Sequence, residues 1–127
     1  MASPDERWWQ SDLSFNLSKD FSMKYYLCKF IPPRGNFRST LTPDEREVME
    51  EHGHFLDHLL SKGVIVAHGT VMNESSGYGV TLYEIADDQD IQVLTSQDPV
   101  ISAGVGKYEV LPMSELAMRH QREPEGR

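Results

Sequence analysis

The hydrophobic pattern changes period several times along the 127 residues, and each change marks an element. MKYYLCKFI (23–31) is crowded with strand formers and is stopped by PPRGNF. From Thr42 the period lengthens: Val48, Phe55, Leu56, Leu59 and Leu60 recur at the spacing of one helix face. Thr42-Pro43-Asp44-Glu45 supplies a capping box with proline at the first helical position, and Gly63 stands where a left-handed residue ends a helix at about Lys62. VIVAHGTVM (64–72) and YGVTLYEI (78–85), separated by NESSG, predict a β-hairpin. ADDQDIQVLTSQ (86–97) predicts a second, shorter helix with acids in its first turn, and VGKYEVLPM (105–113) a closing strand.

The order β-α-β-β-α-β predicts an α+β, ferredoxin-like domain over 23–113 with a four-stranded antiparallel sheet. Two helices cover one face of such a sheet. Yet Tyr26, Cys28 and Phe30 alternate with Tyr25, Leu27 and Ile31, and Val64 and Val66 with Ile65 and Ala67, so both faces are apolar. A second apolar face needs cover, which predicts a homodimer with its sheets face to face. Residues 1–22 form an N-terminal extension. Its Trp8, Trp9, Leu13, Phe15, Leu17 and Phe21 suit an edge strand or an arm across a partner, with a disordered terminus as the alternative. Residues 114–127 form a charged tail.

Composition narrows the function more by exclusion. Hydrophobic content of 39% and charged content of 25% are those of an ordinary globular domain. The net charge of −8, without a Lys/Arg run, argues against nucleic acid and against an anionic membrane surface. Cys28 is the single cysteine, which excludes an intramolecular disulfide and a Cys-based zinc site and suits a small core residue. With no apolar stretch approaching 18 residues and no signal-peptide order, the expected location is the cytoplasm.

EHGHFLDHLLSKG (51–63) brings three histidines together. His52 falls inside the apolar stripe and points at the sheet, where burial opposes a charged ring unless a carboxylate partners it. His54 and His58 lie on the solvent side; with Glu50 they form an i, i+4, i+8 row that a metal would suit, although an exposed polar face explains it as well. No HExxH motif is present, and the expectation is no metal. His68 is either a cleft residue or a packed one. Arg34 and Arg38, in the loop between the first strand and helix, suit a clamp for a substrate carboxylate or simply solvated positions. Of the strand tyrosines Tyr26, Tyr78, Tyr83 and Tyr108, one or two suit a pocket wall, with Tyr26 the chosen candidate. Asp98, before Pro99, is a natural N-cap for the turn that follows.

His52, the step to Gly63, the apolar strand ending in Gly69, and above all DPVISAGV (98–105) resemble the YCII-related (YciI-like) domain family over roughly 23–113. The resemblance implies a ferredoxin-like fold that dimerises into an α+β barrel, and an active site centred on a His–Asp pair, here His52 and Asp98. Characterised members act as lyase-like enzymes on small, often ring-shaped compounds. The N-terminal arm and the loop PPRGNFRSTLT depart from the pattern, so substrate identity does not carry over.

The reading that follows is a small cofactor-independent lyase or isomerase. His52 is its general acid/base, Asp98 orients it, and a ring-containing or polyketide-like metabolite is the substrate. The alternative is a non-catalytic dimeric subunit that binds a small molecule or serves a partner enzyme. A metal protein built on Glu50, His54 and His58 is the third possibility.

Overall fold

Alternation along β1 (Met23–Ile31) sorts its side chains onto two faces, and the rest of the fold follows from which face the helices take. The computed structural model describes residues 22–119, so the expected N-terminal arm and the end of the tail from 120 lie outside the described residues. After β1 come a 3-10 turn (Phe37–Ser39), α1 (Pro43–Ser61), β2 (Ile65–Val71), β3 (Tyr78–Ala86), α2 (Ile91–Ser96), α3 (Pro99–Ser102) and β4 (Lys107–Met113). The strands form one four-stranded sheet in the order β2-β3-β1-β4, every pair antiparallel. This is the expected α+β arrangement with the two central strands β1 and β3 paired side by side, consistent with a ferredoxin-like fold.

The start of α1 is fixed as the sequence predicts. The Thr42 hydroxyl accepts from Glu45 N at 3.1 Å, and the Glu45 carboxylate accepts from Thr42 N at 2.9 Å. At the other end Lys62 caps the helix and Gly63 takes φ 79°, the left-handed conformation that costs glycine least. The stripe of α1 is narrower than predicted: Leu56 and Leu59 are buried, whereas Leu60 is 42% exposed. With Cys28, Ile65, Tyr83, Ile85 and Ile91 the two leucines make one core between the helices and the inner face of the sheet. Each fully buried aliphatic side chain there contributes about 1.5–3 kcal/mol.

Two departures from the sequence reading have local causes. The predicted helix over 86–97 is shorter and is followed by a second one. Ala86 still pairs with Met23 as the end of β3, and the helix waits for Asp90, whose carboxylate caps Gln92 N at 2.9 Å. The chain then leaves the helical conformation at Asp98 (φ −68°, ψ 132°), because a residue before proline is driven out of the helical region, and restarts as α3 at Pro99. In β2 the register slips between Ile65 and Ala67, a β-bulge that takes Val66 out of step. Beyond it, Ala67, Gly69 and Val71 face outward with Leu82 and Val80, and His68 and Thr70 face inward with Thr81 and Gly79.

The outer face carries a row of leucines straight across the sheet. Leu27 stands opposite Leu111 on one side and Leu82 on the other, and Leu111 is 38% exposed. The helices pack on the inner face. Among the described residues no helix is long and apolar enough to cross a membrane.

Candidate active site

Two unrelated local devices bring His52 and Asp98 together. His52 sits mid-way along α1 on its inward stripe, and Asp98 is the N-cap of α3, the helix that packs beside α1. Asp98 is fully buried and the His52 side chain only 12% exposed. The imidazole Nδ1 lies 2.9 Å from Asp98 Oδ1 and 2.8 Å from Oδ2. Facing an ionised carboxylate, which can only accept, Nδ1 is the donor, and in a neutral ring the lone pair is then on Nε2. The capping role and the histidine role turn out to be compatible: Oδ1 also accepts from Val100 N at 3.0 Å. Oδ2 accepts from the Tyr108 hydroxyl as well.

Tyr108 is one of the four strand tyrosines whose facing the sequence leaves open, and no contact with Asp98 is expected of it there. It reaches the carboxylate because β4 pairs with β1 so that Tyr108 stands opposite Phe30 on the inner face. Its ring meets Phe30 edge-on at 6.1 Å between centroids, and Phe30 in turn packs 5.6 Å from the His52 ring. Burial, together with the Asp98 charge and the hydrogen bond to it, raises the Tyr108 pKa far above the ordinary phenol value, so it stays a neutral donor. Tyr83 is raised too, by burial and by the charges of Cys28 and Asp98, yet its buried hydroxyl has no hydrogen-bond partner among the described residues. Burial pushes the Cys28 thiol up to about 12, which leaves it an inert core residue rather than a nucleophile.

The His52 ring forms part of the wall of a cavity of about 270 Å³ between α1 and the inner face of the sheet. Phe30, Phe37, Leu41, Met49 and Leu56 make it largely apolar, and Arg38, His68, Thr70 and Ser76 add polar groups. Arg38 is tethered at the mouth. Its Nε donates to Ser76 O at 3.2 Å and its Nη2 to Thr70 Oγ1 at 3.1 Å. Ser76 is itself buried and takes a hydrogen bond from Phe37 N, which ties the loop after β1 to the hairpin tip.

The other sequence candidates are distributed differently. His68 lines the cavity and pairs through Nε2 with Asp57 Oδ1 at 3.2 Å. Arg34 lies outside the cavity wall: both its terminal nitrogens reach the Glu45 carboxylate at 2.8 Å, and Nη2 also donates to Thr40 O. That fork makes it a strap from the loop to the first turn of α1. Tyr26, opposite Tyr83 on the inner face, packs against the core and is likewise outside the cavity wall. Glu50, His54 and His58 are exposed, and among the described residues no three His, Cys, Asp or Glu side chains are grouped to hold a metal ion.

The model of the YCII-related domain family matches residues 24–114 of the chain. No curated protein matches it.

Proposed function

The chain belongs to the YCII-related domain family, and from that membership and the geometry around His52 we propose that it is a small cofactor-independent enzyme catalysing proton transfer, an elimination, dehydration or isomerisation, on a small ring-containing or polyketide-like metabolite. One observation carries the reading: an imidazole whose Nδ1 is held by a buried carboxylate lines an apolar cavity with its other nitrogen uncommitted among the described residues. Nε2 takes a proton from an acidic C–H or O–H of the substrate, and the imidazolium so formed lies against the Asp98 carboxylate. The same nitrogen then returns the proton to another atom of the substrate or to a leaving group, which restores the neutral ring. Proton transfer of this kind calls on no redox group.

The working molecule in this reading is a cytoplasmic homodimer. The Leu111-Leu27-Leu82 row supports the dimer, because a second copy laid face to face on it removes apolar surface that one copy leaves exposed. A single buried thiol suits a reducing compartment.

The test is exchange. Small cyclic and polyketide-like compounds bearing an acidic C–H are incubated with the protein in D₂O and followed by proton NMR. Exchange with the wild type that His52→Gln abolishes supports the enzyme. Compounds that bind the wild type and exchange nothing would instead make the chain a non-catalytic binding or accessory subunit.

A further inference from the structure

The walls of the His52 cavity contain no aspartate or glutamate among the described residues, although the chain carries 20 acids against 12 lysines and arginines. Its ionisable groups are Arg38, His52, His68 and Tyr78. His52 and His68 each have a carboxylate partner, Asp98 and Asp57. Arg38 has none among the described residues: its two hydrogen-bond partners there are a carbonyl and a hydroxyl, both uncharged. One guanidinium without a carboxylate partner is therefore held at a largely apolar cavity, in a molecule whose overall charge is −8.

We propose that the cavity takes a small organic carboxylate, with its apolar body against Phe30, Phe37, Leu41 and Met49 and its carboxylate on Arg38. The inference rests on the reading of His52 as the base and names the substrate class of that site. The geometry of the guanidinium argues for the planar anion. A guanidinium has five N–H donors, of which Nε–H and one on Nη2 are already spent on Ser76 and Thr70. Those two lie along one side of the fork. The free edge pairs Nη1 with the second hydrogen of Nη2, two parallel donors that match the two oxygens of a carboxylate. Inorganic phosphate, which has no apolar body, would leave the Phe30, Phe37, Leu41 and Met49 side of the cavity unfilled. The cavity of about 270 Å³ admits a single ring or a short chain beyond the charged group. His52 shares that cavity with Arg38, so a carboxylate on Arg38 brings the body of the ligand against the base.

The experiment uses matched probes and calorimetry at neutral pH: benzoate, phenylacetate and cyclohexanecarboxylate, each against its neutral amide, with inorganic phosphate as a further anion. The wild type is expected to bind at least one acid roughly tenfold or more tightly than its amide, the difference a charge-assisted pair supplies. Arg38→Gln is expected to reduce that acid to the affinity of its amide, while Arg46→Gln, an exposed change on α1 outside the cavity wall, leaves it unaltered. His52→Gln is expected to keep the preference for acid over amide, so loss of exchange in that variant with binding intact separates the catalytic reading from this one. Equal binding of acids and amides, binding of none of the acids, an Arg38→Gln variant that keeps the preference, or phosphate displacing the acids with higher affinity would each overturn the proposal.

Discussion

Tyr83 and Tyr108 both place a hydroxyl where it feels the Asp98 charge, but only Tyr108 donates to it. The same one-atom edit should therefore act oppositely at the two positions. Tyr108→Phe removes a donor from a fully buried carboxylate and is expected to cost about 1–3 kcal/mol in urea unfolding. Tyr83→Phe removes a hydroxyl that has no partner among the described residues and is expected to be neutral or stabilising. Asp98→Asn keeps an oxygen for the Val100 cap but offers an N–H as well, so the His52 tautomer is no longer fixed. Exchange activity should then fall about a hundredfold or more, with the ¹⁵N spectrum of the ring reporting the lost preference for Nδ1–H. The inward facing of His52 and the capping by Asp98 were legible in the sequence because each rests on a local rule, the helical stripe and the Asp-Pro cap, whereas their pairing was an expectation from the family resemblance alone. The role of Tyr108 was not legible, since its facing depends on how β4 pairs with β1, a long-range fact that alternation alone leaves open.

At the level of elements, the strap between Arg34 and Glu45 can be read out by pH. The Arg34 hydrogen bonds, helped by the backbone bond from Thr42, lower the Glu45 pKa from its ordinary 4.5 to about 2. A carboxylate whose folded pKa is depressed stabilises the fold above its unfolded value and loses that contribution as the pH falls. Glu45→Gln keeps an acceptor for Thr42 N but not the charge. The gap in melting temperature between wild type and variant should hold from pH 7 to about 5, then close between about 4.5 and 2. The capping box that shares this glutamate was read correctly from four residues. The expected helix after β3 is overextended, because the acids Asp87, Asp88 and Asp90 look like a first turn and are in fact turn and cap, with Ala86 the strand end. Gly106 marks a constraint of another kind. A Cβ there would come within 2.5 Å of Ile31 O and 2.6 Å of the Phe30 ring, at a φ of 75°. Gly106→Ala should therefore displace the start of β4 and Tyr108 with it, weakening the Asp98 site from outside; loss of the edge contact between Phe30 and Tyr108 in a crystal structure would show it.

For the whole molecule, the leucine row is the feature that a second copy would cover. Leu27→Glu sets a charge at its centre, on a central strand, and is expected to convert a particle of twice the chain mass into one of single mass in light scattering, with the far-UV spectrum preserved. Wild-type protein already at single mass would remove the dimer. The two-faced character of the sheet was visible in β1, yet in β2 the simple alternation read from Val64 to Ala67 breaks at the bulge. That one extra residue sets the parity of everything after it. His68 and Thr70 look into the cavity, and Ala67, Gly69 and Val71 look toward the outer surface, only because Val66 is skipped in the count. Substitution at those five positions tunes one surface at a time. Deleting Val66 itself leaves the assignment intact, because Ile65 opposite Tyr83 is then followed directly by Ala67 opposite Leu82; drawing Val66 into the ladder as an ordinary paired residue instead exchanges the two faces and turns the Thr70 anchor of Arg38 to the outside. A variant that lacks Val66 alone is accordingly expected to fold with a regular β2 and to keep His68 and Thr70 facing the cavity, and the bond from Arg38 to Thr70 in its crystal structure would check this.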